Sequence, residues 1–399
     1  MSKPGDLDLP RRSYPGWPQF SEEEIEAAVR VLRSGRVNYW TGTEGRSFEA
    51  ELAAFHGAAH AIALANGTIA LETALAGLGI GPGDEVVVPS RTFIASASAV
   101  VARGATPVLA DVDRDSGNLT AETLGAALTP KTRAVIPVHL AGWPCDMDAI
   151  GEVARAHDLR IVEDCAQALG ASVRGRAVGT WGDVGALSFC QDKILTTAGE
   201  GGAVVTDDTD LYERMWAYKD HGKSYDAVYR RSHPPGFRWL HESFGTNGRM
   251  TEVQAATGRV ALARLPQDLA ARAHHAEILN GYLLAQPALR TPLAPEHATH
   301  AWYKLYTYVR PEALKAGWSR DRIQQALEAR GVPVRQGSCS EIYLERAFEG
   351  TGWRPAERLP VARELGDTSL MFQVHPPLSD EDMHAMGEAV VEVMAQATR

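Results

Sequence analysis

The sequence predicts an α/β fold: a large domain on a mostly parallel sheet, followed by a smaller C-terminal α+β domain. Three observations predict it. Between about residues 58 and 208, short apolar runs alternate with helical patterns. Most of these runs are continuously apolar, as expected for strands covered on both faces. The 399 residues suffice for one large domain with a smaller one attached.

An amphipathic helix is expected from about Glu22 to Leu32, with Ser21 as N-cap and Glu22, Glu23 and Glu24 in its first turn. Strands follow at His60–Leu64, Glu85–Pro89, Thr106–Ala110, Ala134–His139, Arg160–Glu163, Val184–Phe189 and Ala203–Thr206. Helical stretches between them include Ile69–Leu78, Thr120–Ala127 and Asp146–His157. Residues 209–250 are rich in aromatics, His and Gly. With Pro234 and Pro235 inside Ser232–Phe237, they read as a long, partly irregular excursion. A helix from Glu252 to about Leu262 meets a stop or kink at Leu265-Pro266, and a second runs from about Asp268 to Leu284. The domain boundary is placed there, giving 14–265 and 266–399. The small domain carries an alternating segment Trp302–Val309, a helix Arg320–Arg330, a segment around Val332–Arg335 and a terminal helix Asp380–Ala395.

Apolar residues at 45% and charged residues at 23% argue against a disordered or collagen-like chain. A net charge of −10 disfavours nucleic acids and other polyanions, yet leaves room for one small anionic ligand. The start MSKPGDLDLPRR has no apolar stretch of signal-peptide type, and no apolar run reaches the roughly 18 residues needed to span a bilayer. Cys145, Cys165, Cys190 and Cys339 form no C-x-x-C pair and read as reduced thiols. Together these features predict a soluble cytoplasmic protein. Only seven of the 40 basic residues are lysines: Lys3, Lys131, Lys193, Lys219, Lys223, Lys304 and Lys315. Chemistry that requires a lysine therefore has few candidates.

One of them stands out. In Ser188-Phe189-Cys190-Gln191-Asp192-Lys193, Lys193 follows the end of a buried strand, and a Gly-rich turn then leads into another strand. Ligands of open α/β sheets bind beyond such carboxyl ends. A lysine there is either an ordinary loop residue or, when desolvated, a Schiff-base nucleophile. Asp164, just past another apolar run, could cap a helix, bind a metal or pair with a protonated heterocycle nitrogen. Without an H-E-x-x-H motif or an Asp/His cluster, no metal site is expected. Asn66-Gly67-Thr68 lies between a strand and a helix start, where backbone N–H groups and a hydroxyl suit a phosphate as well as an ordinary turn. Ser188 can add a second hydroxyl. Phe93, in Pro89-Ser90-Arg91-Thr92-Phe93, could lie over a flat ring or join the core. A lysine, an acid, a phosphate cradle and an aromatic at strand ends are the parts of a pyridoxal phosphate site.

The motifs resemble those of the DegT/DnrJ/EryC1/StrS family of pyridoxal phosphate-dependent aminotransferases. The resemblance runs from about Trp17 to the C-terminus. It rests on Ala65-Asn66-Gly67-Thr68, Gly81-Pro82-Gly83-Asp84-Glu85-Val86, Thr92-Phe93-Ile94-Ala95, Glu163-Asp164-Cys165-Ala166-Gln167, Ser188-Phe189 with Lys193, Gly199-Glu200-Gly201-Gly202, Asn247-Gly248-Arg249-Met250 with Gln254-Ala255-Ala256, and Leu359-Pro360 with His375-Pro376. It implies the aspartate-aminotransferase-like fold (fold type I) and a homodimer with shared active sites. It also implies roles. Lys193 forms the aldimine with the cofactor and later moves a proton, Asp164 pairs with the pyridine nitrogen, and Gln167 sits near the ring's 3-hydroxyl. Phe93 stacks on the ring, Gly67, Thr68 and Ser188 hold the phosphate, and Asn247 reaches the phosphate of the neighbouring subunit. The implied reaction moves an amino group from an amino acid, L-glutamate first, to a keto sugar, foremost a nucleotide-linked 4-keto-6-deoxy sugar in amino-sugar or polysaccharide biosynthesis. Alternatives are a carbocyclic, inosose-type ketone with glutamine as donor, a sugar dehydratase, or a non-catalytic regulator. Family members that act as sugar dehydratases replace the lysine by histidine, so Lys193 speaks against that branch. Gly248 and Ala141 stand where the family often has aromatics, and Cys165 where it often has alanine. The segments Trp302–Tyr306 and Ser338–Tyr343 are expected either to shape the sugar or amino-acid pocket or to belong to the C-terminal core.

Overall fold

The computed structural model describes residues 12–232, 235, 236 and 238–399. The polar start of the chain and part of the proline-containing stretch around Pro234 lie outside the described residues. Strands β1 (His60–Leu64), β2 (Glu85–Pro89), β3 (Thr106–Ala110), β4 (Thr132–Val135), β5 (Arg160–Asp164), β6 (Ser172–Val173), β7 (Arg176–Ala177), β8 (Val184–Ser188) and β9 (Gly202–Thr206) come first along the chain. Seven of them form one sheet in the order β1-β9-β8-β5-β4-β2-β3. Only β9 runs against the rest, so the sheet is mostly parallel.

The continuous apolar runs have the reason expected for them. On β2, Val86 and Val88 enter the core on one face of the sheet while Val87 enters the core on the other. Helices α1 (Glu22–Ser34), α2 (Glu44–His56), α3 (Gly67–Gly77), α4 (Ala95–Ala102), α5 (Ala121–Ala127), α6 (Met147–Ala156), α7 (Thr209–Lys219) and α8 (Tyr225–Tyr229) accompany the sheet. The Ser21 cap of α1 is a full capping box with Glu24. The helix α2 was not anticipated.

Three expectations need correction. The expected strand Ala134–His139 ends early, at Val135, because Pro137 has no N–H to give a ladder. Its carbonyl instead accepts from Asp164 N at 2.8 Å. The excursion 209–250 begins with two helices, capped by Asp208 and Ser224. Its aromatics are packing residues: Trp216 is buried and meets Tyr225 edge-on at 5.1 Å.

The third correction is the break at Leu265-Pro266. A single helix, α9, runs over Glu252–Leu284 with Pro266 inside it. An interior proline costs about 3 kcal/mol. Here it sits on the solvent side, and packing on both flanks offsets the cost. Ala261, Leu262 and Leu265 belong to a core of the large sheet, whereas Ala276, Leu279 and Leu283 belong to the C-terminal core. The boundary expected between residues 265 and 266 thus falls inside one helix.

Beyond α9 come β10 (Leu289–Arg290), β11 (Ala298–Thr299), β12 (Leu305–Val309), α10 (Arg320–Ala329), β13 (Val334–Arg335), α11 (Pro360–Thr368), β14 (Ser369–Phe372) and α12 (Asp380–Ala397). Strands β10, β12, β14 and β13 form an antiparallel sheet in that order. Strand β11 instead pairs with β6, next to β7. The two parts of the chain meet where the turn after β4 docks on the approach to β12: Gly142 O accepts from Ala301 N at 2.9 Å, and Ala141 O from Lys304 N at 3.3 Å.

Candidate active site

Lys193 lies in the connection between β8 and β9. The base of this loop is tied by Phe189 N to Gly201 O (2.7 Å) and Thr197 N to Phe189 O (3.2 Å). Lys193 N donates to Cys190 O at 3.0 Å, and the Trp17 indole N–H donates to the Lys193 carbonyl at 2.8 Å. The side chain is half-buried, with its Nζ 5.0 Å from the centroid of the Tyr303 ring.

Asp164 ends β5, the strand beside β8, and is buried. Its Oδ2 accepts from Ser96 Oγ at 2.8 Å, and its Oδ1 from Ala166 N at 3.1 Å. Ser96 is in turn 3.0 Å from Thr92 Oγ1. No cation among the described residues lies within ion-pair distance of this carboxylate. Burial raises its pKa above the ordinary carboxylate range. The hydrogen bonds from Ser96 and Ala166 and the charge of Lys193 offset that only in part.

The remaining expected residues fall around this pair. Asn66 caps α3 by accepting from Ile69 N at 2.9 Å, which sets Gly67 and Thr68 at the helix start. Gly67 packs on Ser188 so closely that a Cβ there would come within 2.7 Å of the serine Cβ. Likewise a Cβ on Gly202 would lie 2.4 Å from the Asn66 carbonyl carbon, so the Gly-Gly after Glu200 lets β9 pass beneath the loop. Gln167 is buried, and its Oε1 accepts from Ala141 N at 2.8 Å. That bond orients the amide and leaves its N–H groups available. Phe93 follows β2 with its side chain 67% exposed, unlike the core aromatic it could have been. Asn247 is exposed; its backbone bridges to Asp220, and its side chain makes no hydrogen bond among the described residues. Among the described residues, no contact brings it to Lys193.

Other residues escaped the sequence reading. Ser96 is a small polar residue in the first turn of α4, and no motif marked it. Glu163 is buried on the other side of β5. It accepts from Gly179 N, Trp181 N and Gly182 N at 2.7 to 2.8 Å. His139 completes the set at 3.0 Å. Because Cys145 N donates to His139 Nδ1, the ring proton sits on Nε2 and points at Glu163. Tyr303 and Lys304 did not escape it as a segment, since Trp302–Tyr306 is expected to shape the substrate pocket; on the approach to β12 they line the Lys193 side of the site. The Tyr303 hydroxyl donates to Asp192. Burial would raise the Asp192 pKa, but Lys193, the Tyr303 hydroxyl and Lys304 hold it below the usual carboxylate value.

An α/β fold with a lysine, a buried acid and a glycine-lined helix start at its strand ends has the parts that the resemblance to aminotransferases calls for. The DegT/DnrJ/EryC1/StrS aminotransferase family profile matches residues 18–391, and the chain belongs to this family. The chain is similar to the crystal structure of an aminotransferase from Psychrobacter cryohalolentis, with a TM-score of 0.94 and 53% identity over 96% of this chain and 99% of that one. It is 41% identical to the dTDP-3-amino-3,4,6-trideoxy-alpha-D-glucose transaminase of Streptomyces venezuelae, over 92% of each chain. It is 36% identical to the L-glutamine:2-deoxy-scyllo-inosose aminotransferase of Streptoalloteichus tenebrarius, over 96% of this chain and 95% of that one. The fold is the aspartate-aminotransferase-like fold type I, and the protein is an aminotransferase. Among the described residues, no helix is long and apolar enough to cross a membrane.

Proposed function

We propose that the protein is a pyridoxal phosphate-dependent aminotransferase that carries an amino group from an amino acid, foremost L-glutamate, to the keto group of a nucleotide-linked sugar. The observation that carries the cofactor assignment is Asp164: a buried carboxylate with free acceptor capacity and no cationic partner among the described residues, facing the Lys193 side of the site. Such a group is costly to bury unless a cationic ligand meets it. A protonated ring nitrogen fits that requirement. The close packing of Gly67 on Ser188 and the uncovered face of Phe93 fit the phosphate and the ring of the same ligand.

When bound, pyridoxal phosphate supplies an electron sink for the bond broken at the donor's α-carbon. The chain's own residues do the rest. Lys193 Nζ would anchor the cofactor and, freed from it, would serve as the base and acid that moves the proton of the donor's α-carbon. Asp164 keeps the ring nitrogen protonated, and Ser96 and Ala166 N–H hold Asp164 in place. Gln167, oriented by Ala141, offers its N–H groups to the ring's 3-hydroxyl. Gly67, Thr68 and Ser188 bind the phosphate, and Phe93 covers one ring face. Residues 14–265 hold the cofactor, and 266–399 close the substrate side. Asn247 serves the neighbouring subunit's phosphate in a homodimer. Its exposed side chain, with Trp239 and Phe244 nearby in sequence and also exposed, supports that placement.

The dTDP-sugar transaminase supports a nucleotide-sugar acceptor. Its name puts the amine at carbon 3, whereas the Gly199-Glu200-Gly201-Gly202 segment resembles members that aminate carbon 4 of 4-keto-6-deoxy sugars; we favour carbon 4. The second reading is a carbocyclic ketone with glutamine as donor, favoured by the inosose aminotransferase. A donor-by-acceptor screen separates them: glutamate and glutamine against UDP-, dTDP- and GDP-linked keto sugars and inososes. Amine appearing on a nucleotide-linked keto sugar is the expected result. Amine appearing only on an inosose overturns the first reading.

A further inference from the structure

Cationic groups crowd the small-domain side of Lys193. Lys304 Nζ lies 4.6 Å from the centroid of the Tyr303 ring, the same ring that Lys193 approaches to 5.0 Å. The two ammonium groups are therefore less than ~10 Å apart. The backbone N–H of Lys304 donates to Ala141 O, and the N–H of that same Ala141 holds Gln167. So Lys304 is tied to the residue pair that orients the cofactor-side amide. Its Nζ donates to Gln373 Oε1 at 2.7 Å, a neutral acceptor. No carboxylate lies within ion-pair distance among the described residues. The side chain also borders a small cavity with Ala141, Trp302 and Tyr306, which Lys193 does not line.

Arg272 adds to the imbalance. It is 1% exposed, its Nε and Nη2 have no hydrogen-bond partner, and Nη1 reaches only the Trp302 and Tyr303 carbonyls at 3.4 and 3.5 Å. Two acids face these cations: Asp192, whose charge serves Lys193 and Lys304 together and which accepts from the Tyr303 hydroxyl, and Asp268, which is paired with Arg264 at 3.1 Å. Burial accordingly lowers the Lys304 pKa to about 8 and the Arg272 pKa to about 10. A buried cation excess beside a reacting lysine calls for an anion that arrives with the substrate.

We propose that Lys304 binds the α-carboxylate of the amino-acid donor, with the Gln373 amide beside it and Arg272 supporting the positive field. The inference rests on the amine-transfer reading above. An amino acid's carboxylate is one bond from the carbon whose nitrogen is transferred, so it must lie close to Lys193. One ammonium beside one amide suits a single carboxylate, whereas a sugar diphosphate carries more oxygens to satisfy.

The test uses the holoenzyme with Lys304→Met and Lys304→Arg. Two readouts are taken: the KM values of donor and acceptor separately, and calorimetric binding of glutarate, a dicarboxylate without an amine. Lys304→Met is expected to raise the donor KM and weaken glutarate about tenfold or more, as for a lost charge-assisted hydrogen bond. The acceptor KM stays within twofold, and Lys304→Arg recovers most of the donor effect. A raised acceptor KM with unchanged donor KM and glutarate affinity overturns the proposal, as does no change in any of them. If the wild type transfers no amine to any acceptor, the functional reading fails by itself, and the glutarate arm still decides whether Lys304 forms a carboxylate site. A variant that unfolds is recognised by circular dichroism; Lys304→Arg, which keeps the charge, then decides by its donor KM and glutarate affinity.

Discussion

Two neighbouring acids on β5 serve opposite ends. Glu163 has its carboxylate filled by three backbone N–H groups and the His139 ring. Asp164 points to the other side of the sheet and has one hydroxyl and one backbone N–H. Both are buried. The first is satisfied within the chain and clamps the segment 179–182 to the sheet. The second is left short of partners at the place where Lys193 stands. The difference teaches that burial alone does not mark a functional acid; unfilled acceptor capacity beside a chemically able partner does.

The largest effect is expected at the lysine. Lys193→Ala should lower amine transfer about 10⁴-fold and abolish the visible absorption of lysine-bound cofactor, with the fold intact by circular dichroism. Asp164→Asn comes next, with a loss of about 10²- to 10³-fold in kcat. Its effect on stability should go the other way. The folded-state pKa of Asp164 is raised, so the cofactor-free chain binds the proton more tightly folded than unfolded, and folding is penalised as pH rises through that range. Cofactor-free Asp164→Asn should therefore melt at or above the wild type near neutral pH. The gap should close in acid, where Asp164 is protonated in both states. A lower melting temperature for the variant at neutral pH would break the comparison.

Glu163→Gln should show the mirror image. An amide would turn an N–H toward two donors, and about 3 kcal/mol of stability should be lost, read as a lower denaturant midpoint. Cofactor absorption at saturating cofactor should persist. Ser96→Ala should sharpen the picture with a smaller effect: about tenfold in kcat, because Asp164 keeps its Ala166 bond but loses the hydroxyl chain through Thr92. Ser21→Ala, far from either acid, should cost about 1 kcal/mol of stability and leave kcat unchanged.

The sequence carried the large domain well because both faces of its sheet are buried, so each strand announces itself as a continuous apolar run. It misled at Pro266, where local backbone chemistry argued for a break and packing of α9 into two cores prevailed. The cofactor side of the site was legible because its residues sit in short motifs at strand ends: Lys193 after β8, Asp164 at the end of β5, Gly67 at the start of α3. The substrate side was legible only as a segment, Trp302–Tyr306, with no single residue marked in it. Lys304 reaches the site only because β12 docks against the turn at Ala141, more than 160 residues earlier in the chain, and no spacing rule encodes that contact. Ser96 was equally hidden. Its role depends on α4 presenting one hydroxyl to a carboxylate 68 positions away.

The central claim, that one lysine of seven carries the cofactor, is open to a direct measurement. The protein is loaded with pyridoxal phosphate, reduced with borohydride, digested and sequenced by mass spectrometry. The account requires the pyridoxyl label on the peptide containing Lys193 and on no other lysine. Label on Lys219 or Lys304 in its place, or no label on a folded, cofactor-saturated chain, would contradict it.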